Sequence, residues 1–289
     1  MNLIYCCAFF NPGYITLAEM LLLSLSAYGN VGGDTEVLII TSSEFKPVFQ
    51  ESLKTAPFKI HYYLLNITTS FGAACARLHI FRYPQIKKYS KILYVDTDIL
   101  VNSDINTLLK LPISSKQLYA VREGQIGIQS CFGKIFFDFK KFSRHQSAFN
   151  SGILLFMNSA SMRSLFSDIN NHIDEFITAK LALHPDVTDY MKFVFADQPF
   201  IVYNAISQKK YNNVLLNQYA CLKSPQYNPH QLCSTSDIVD PNIILYHFIG
   251  PYGDAETKYG VMMDFWDKMN KARNENAIPL GLVSVVSDV

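Results

Sequence analysis

Along the first hundred positions, apolar runs alternate with helical patterns in the order expected of parallel β-α-β units. "NLIYCCAF" predicts a buried first strand, and "YITLAEMLLLSLSAYG" a helix with an apolar face, closed by Gly29. "TEVLIIT" is a second buried strand. It is followed by a helix over "SEFKPVFQESLKT", with Ser43 as cap and Pro47 inside the first turn. "FKIHYYLL" predicts a third strand, and "AACARLHIFRYPQIKKY" a helix that ends near Pro84 or one turn beyond it. "KILYV" is the fourth strand, with Asp96 opening the loop at its carboxyl end. Such alternation predicts an open α/β sheet, whose ligands bind beyond the carboxyl ends of the strands.

After this the pattern changes. "QLYAV" and "FNSGILLFM" are strand-like, separated by a long aromatic loop from Arg122 to Ala148 that carries scattered basic residues. "SASMRSLFSDINNHIDEFIT" predicts a helix capped by Ser159 or Ser161, and "VFADQPFIVYNAIS" a shorter one. "NIILYHF" is a last buried strand, and a helix over Val261 to Ala272 precedes a mixed tail. No repeat, low-complexity linker or compositional break divides the chain, so one domain is expected over 1–289.

Composition narrows the classes of function. With 289 residues, 49% of them hydrophobic, the chain can bury a large core. A formal charge of +1 and the lack of a Lys/Arg cluster exclude nucleic acid and anionic lipid as electrostatically driven partners. The N-terminal apolar stretch has no basic residues before it and is expected to be a strand rather than a leader. The run from Ile15 to Ala27 contains Glu19, Ser24 and Ser26 and falls short of the roughly 20 residues of a membrane span. Six cysteines, none in a C-x-x-C pair, suit a reducing, cytoplasmic setting. The sequon Asn66-Ile67-Thr68 carries little weight without a leader.

The candidate chemistry begins with Asp96-Thr97-Asp98. Two carboxylates one residue apart repel unless a positive group separates them, and two hard oxygens suit Mg²⁺ or Mn²⁺ with a diphosphate completing the shell. A strand-ending turn whose carboxylates accept backbone N–H bonds is the alternative. His247, closing the last buried strand, offers an imidazole that would favour Mn²⁺. In "FNSGILLF", Asn150 and Ser151 can hydrogen-bond a ligand that Gly152 admits. In "FADQPF", Asp197 and Gln198 lie among apolar neighbours, where a carboxylate is costly unless bonded, used or capping the following helix.

Taken in order, "FNPGY", "ARLHIF", "LYVDTDILV", "FNSGILLF", "ADQPF" and "HFIG" resemble the glycogenin-like glycosyltransferases of family 8, which include bacterial lipopolysaccharide galactosyltransferases. The resemblance spans residues 1 to about 253. It implies a GT-A fold, a Rossmann-like mixed sheet with helices on both faces. Residues 1–101 would form a nucleotide-sugar half, 102–250 an acceptor half, and 251–289 a C-terminal helix and tail. The implied reaction moves a hexose, glucose or galactose, from a UDP-sugar to a glycan, glycolipid or protein-linked acceptor with retention. It further implies that Asp96, Asp98 and His247 bind Mn²⁺, with Mg²⁺ as a substitute. Tyr14 would stack on uracil, with Ala8, Phe10 and Asn11 beside the base. Arg77 would reach the donor, Asn150, Ser151, Asp197 and Gln198 would surround the sugar, and Gly250 would lie by the diphosphate. Asp197 is the catalytic candidate, with Gln198 beside it, either as a carboxylate nucleophile or in a front-face reaction assisted by the leaving phosphate.

One departure stands out. The family follows HF-x-G with a lysine that contacts the diphosphate, whereas Gly253 stands there in "HFIGPYGDAETKYG", leaving Lys258 on a longer loop or Arg77 to take its part. Glu123 also replaces a common Asp. The missing lysine keeps a catalytically weak nucleotide-sugar or glycan binding module as the rival reading. A haloacid-dehalogenase-like phosphatase with Asp96 as nucleophile is more remote, since the motif falls on the fourth strand rather than the first. Self-glycosylation would need exposed tyrosines, for which Tyr211 and Tyr219 are candidates. The Arg122–Ala148 loop and "NQYACLKSPQYNPHQLCSTSD" are the expected acceptor-binding stretches.

Overall fold

The computed structural model describes residues 1–183, 197–226, 232–250 and 252–277. Among these, the strands are β1 (Asn2–Ala8), β2 (Thr35–Thr41), β3 (Ile60–Leu64), β4 (Lys91–Val95), β5 (Ile99–Val101), β6 (Leu118–Gln125), β7 (Ser147–Met157), β8 (Tyr211–Asn212), β9 (Ala220–Lys223) and β10 (Leu245–Phe248). A mixed sheet runs in the order β3-β2-β1-β4-β7-β6-β8, and a smaller one in the order β5-β10-β9. β1 lies parallel to both β2 and β4, while β7 is antiparallel to β4 and β6. The order therefore reverses beside β1, and a crevice opens where β1 and β4 end.

The continuous apolar runs reflect burial on both faces. β2 is buried at every position. On β1, Leu3 and Tyr5 join Leu38, Ile40, Ile92 and Tyr94 on one side, while Ile4 and Cys6 join Val37, Ile39, Leu93 and Val95 on the other. This is the two-residue period of a strand expressed twice.

Helices cover each face. On one side lie α1 (Pro12–Tyr28) and α2 (Lys46–Ser52), with Leu21, Leu25 and Phe49 in the core. A short α3 (Ser70–Cys75) leads toward the opposite face, and a one-turn α4 (Asn106–Leu109) follows β5. The opposite face carries α5 (Ala160–Leu183) and α6 (Gln198–Ser207), which contribute Leu165, Ile169, Phe200 and Ile201. Finally α7 (Ala255–Ala277) packs Met262, Phe265 and Met269 against Leu17 and Met20 of α1 and Tyr246 and Phe248 of β10.

Several sequence expectations shift. Ser43 does not cap α2, whose N-cap is Phe45 with no side-chain cap bond; Ser42 instead closes the turn ahead of it, its hydroxyl accepting from Phe45 N at 3.2 Å. The helix expected over residues 73–89 is instead α3 followed by two 3₁₀ segments, Ala76–Arg82 and Ile86–Lys88. There the Arg77 carbonyl accepts from the Tyr5 hydroxyl at 3.1 Å, and Tyr83 is extended ahead of Pro84. The Arg122–Ala148 loop is shorter than expected, because β6 reaches Gln125 and β7 starts at Ser147. Met162 N donates to the Ser159 hydroxyl, so Ser159 rather than Ser161 opens α5. α7 starts at Ala255, ahead of the expected Val261. Tyr211 and Tyr219 are half-buried rather than exposed, and Tyr211 stacks on Phe149. Residues 194–196 of the expected shorter helix, 227–231 of the second acceptor stretch and the tail beyond 277 lie outside the described residues.

Candidate functional site

Two backbone ladders bring distant residues to the crevice. Asp96 follows the last residue of β4, and its N–H still donates to the Gly152 carbonyl on β7 at 2.8 Å. Asp98 precedes β5, and its carbonyl accepts from Phe248 N at 3.0 Å. The antiparallel register of β5 and β10 sets His247 opposite Ile99. One ligand atom from each of Asp96, Asp98 and His247 therefore lies within 4.8 Å of the other two. His247 Nε2 is 3.1 Å from Asp98 Oδ1 and 3.7 Å from Asp96 Oδ2.

The donor set fits a divalent ion. Asp98 Oδ1 and His247 Nδ1 are buried without a hydrogen-bond partner, and such atoms are rare unless something else satisfies them. Two carboxylates and an imidazole are donors that a divalent ion accepts. Gly152 makes the space: a Cβ there would fall 2.1 Å from His247 Cε1 and 2.5 Å from Asp96 Oδ2.

Cations surround these acids. Arg77, projecting from the 3₁₀ segment, is 3.2 Å from Asp96 Oδ1 through Nη1 and 2.8 Å from Asp197 Oδ2 through Nε. Its Nη1 also donates to the Ser151 carbonyl at 2.7 Å. The guanidinium lies 4.7 Å from the centre of the Tyr94 ring, whose hydroxyl bonds Asp96 Oδ1. Burial opposes the charge on Arg77, but Asp197 and Asp96 outweigh it and keep the guanidinium ionised. Lys258, in the first turn of α7, places Nζ 2.6 Å from Asp98 Oδ2. Burial alone would raise the Asp98 carboxyl. Lys258 and His247 overcome this and hold it well below the usual carboxylate range.

Asp197 precedes α6 but makes no side-chain cap bond, so the capping alternative gives way to the contact with Arg77. It has no exposed surface, and burial pushes its carboxyl up to about 6 against the pull of Arg77. Gln198 Oε1 accepts from both Ser151 N at 3.0 Å and Ser151 Oγ at 3.1 Å. Asn150 accepts from Gly152 N at 2.7 Å and donates to Glu123 Oε2 at 2.9 Å. The Glu123 carboxyl is raised by burial.

Beside the acids lies a cleft of about 270 Å³, with Phe10 and Tyr14 on one side and Arg77, Thr97 and Lys258 among its other walls. Phe10 and Tyr14 are 60% and 46% exposed, and Phe10 takes a φ of 68°, a strained backbone for an aromatic residue. Ala8, by contrast, is buried, with its carbonyl holding the Thr41 hydroxyl at 2.8 Å. Asn11 caps α1 through Gly13 N at 2.8 Å. Gly250 has a φ of 92° and faces Ser224. The cleft wall also includes Cys7, Phe9 and Ser70, which sequence reasoning did not single out. Tyr94 was missed too, although its place two residues before Asp96 along one strand direction was a usable signal.

Residues 70–252, well over half of the chain, match the model described as Glycosyl transferase family 8. No curated protein matches the sequence. Among solved structures, galactosyltransferase LgtC in complex with donor and acceptor sugar analogs is similar, with a TM-score of 0.60 at 14% identity over 94% of this chain and 96% of that one. The glycosyltransferase GlyE of Streptococcus pneumoniae TIGR4 gives 0.52 at 19% identity, covering 96% of this chain and 65% of its own. Mouse xyloside xylosyltransferase 1 in its apo form gives 0.55 at 12% identity, covering 86% and 98%. At such identities the likeness is one of fold, and that fold is the expected GT-A arrangement.

Proposed function

The chain belongs to glycosyl transferase family 8, and from that premise we propose that it moves a hexose from a UDP-sugar to a hydroxyl of a glycan or similar acceptor, with retention and with a divalent ion. The observation that carries this reading is the convergence of Asp96, Asp98 and His247 beside a cleft with two exposed aromatic rings. A divalent ion held there offsets the charge that develops on a departing diphosphate.

The chain's own residues supply the rest. Tyr14 and Phe10 offer faces for a base, and Arg77 faces the same cleft as the acids. Arg77 is held in place by Asp197 and the Ser151 carbonyl. The complete burial of Asp197 behind Arg77 supports a front-face course over attack by its carboxylate. In this reading Asp197 is a positioning residue. Gln198, bonded to Ser151, aligns the strand that carries Gly152.

Lys258 on the cleft wall answers the absent lysine after "HFIG", so the observation that favoured a weak binding module loses force. Incubation with UDP-glucose or UDP-galactose and Mn²⁺ tests the proposal. UDP release is expected, stopped by EDTA and lowered about 100-fold or more in Asp96→Asn. Tight UDP and Mn²⁺ binding with no UDP release above buffer, with or without an acceptor, would instead leave the binding module as the better reading.

A further inference from the structure

The two oxygens of Asp98 are held differently. Oδ1 lies 3.1 Å from His247 Nε2 without a hydrogen bond, while Oδ2 meets the Lys258 ammonium at 2.6 Å. Lys258 is aimed there by helical structure. Asp254 Oδ1 accepts from Thr257 N at 2.8 Å at the start of α7, which packs so closely on α1 that a Cβ on Gly13 would fall 2.6 Å from Ala255 Cβ. The Lys258 side chain is 19% exposed, with Nζ 5.7 Å from the centre of the Tyr252 ring. Around the site, Asp96, Asp98 and Asp197 are balanced by Arg77 and Lys258, three carboxylates against two cations. A divalent ion arriving alone meets these fixed charges within a few ångströms. A diphosphate arriving with it brings negative charge for ion and lysine together.

We propose that Lys258 is a resident counter-ion of Asp98, competing with the divalent ion when no nucleotide is bound and turning to the diphosphate when the donor enters. The ion is then held tightly only in company with a nucleoside diphosphate. This rests on the donor reading of the cleft given above, and it assigns one side chain two opposite effects.

The test is titration of the intact protein with Mn²⁺, following the free ion by electron paramagnetic resonance, with and without UDP, in wild type, Lys258→Met and Lys258→Arg. Without UDP, Lys258→Met is expected to bind Mn²⁺ about fivefold or more tightly than wild type. At saturating Mn²⁺ it should bind UDP about tenfold more weakly. Uridine, which lacks the diphosphate, should bind all three alike, showing that the variants are folded, and Lys258→Arg should keep the wild-type weakness toward Mn²⁺ alone. Equal Mn²⁺ affinity in wild type and Lys258→Met, with UDP still bound, overturns the role of the lysine and leaves the donor reading standing. Wild type that binds neither Mn²⁺ nor UDP overturns the donor reading and this inference with it.

Discussion

Gly152 shows how much one absent methyl group can decide. Its backbone ties β7 to Asp96, and its missing Cβ leaves room for His247 and the Asp96 carboxylate to approach. Gly152→Ala should therefore separate the acids from the imidazole, abolishing Mn²⁺ binding in the presence of UDP by calorimetry and lowering stability by about 1–3 kcal/mol in a urea titration. Asp197 makes a second case. Its carboxyl, raised by burial to about 6, is ionised and able to hold Arg77 only above that pH. Turnover should fall as pH drops through about 6, and Asp197→Asn should flatten that limb of the kcat profile while lowering its plateau. In the sequence, Asp96, Asp98 and His247 were legible because charged or imidazole groups stood at the ends of apolar runs. The part played by Asp197 was not, because whether an Asp before a helix caps it or pairs with an arginine 120 positions earlier depends on the tertiary path.

At the scale of elements, strands buried on both faces were easiest to read, since β1, β2 and β4 are apolar through their middles, with polar residues only toward their ends. The short strands β5, β8 and β9 were missed, being only 2 to 4 residues long and stabilised by partners far along the chain. The stretch from residue 73 to 89 carried a helical pattern, yet its contacts with Tyr5 and the acids favour tighter 3₁₀ turns. β2 carries an electrostatic feature of its own. Burial would raise the Glu36 carboxyl, but bonds from Lys59 at 2.8 Å, from Tyr89 and from His61 at 2.9 Å outweigh it and hold it at about 2. Because that lies below the ordinary 4.5, the stabilisation is complete above pH 4.5 and disappears as pH falls toward 2. With the Lys59 side chain 62% exposed and screened, about 1–2 kcal/mol is expected. Denaturation of wild type and Glu36→Gln at pH 6 and pH 3 should show the two stabilities converging at the lower pH.

Over the whole molecule, the site joins two sheets, with Asp96 flanking and Gly152 lying on the larger, and Asp98 flanking and His247 lying on the smaller. A ligand bound there ties the sheets together. Mn²⁺ with UDP at about 100 times its dissociation constant should stabilise the fold by about 2.7 kcal/mol. Scanning calorimetry should show this as a raised Tm in wild type that Asp98→Asn lacks. No described helix is long and apolar enough to cross a membrane, in line with the polar interruptions in the run from Ile15 to Ala27. The order of apolar runs and turns determined, by itself, that the chain forms an α/β sheet and that acids stand at a carboxyl edge of it, because strand burial and side-chain period are local properties. Only the tertiary structure decided that a lysine 160 positions away from Asp98 shares its carboxylate and that Asp197 stands behind Arg77. Charges compensate one another through space, and spacing along the chain carries no record of which will meet.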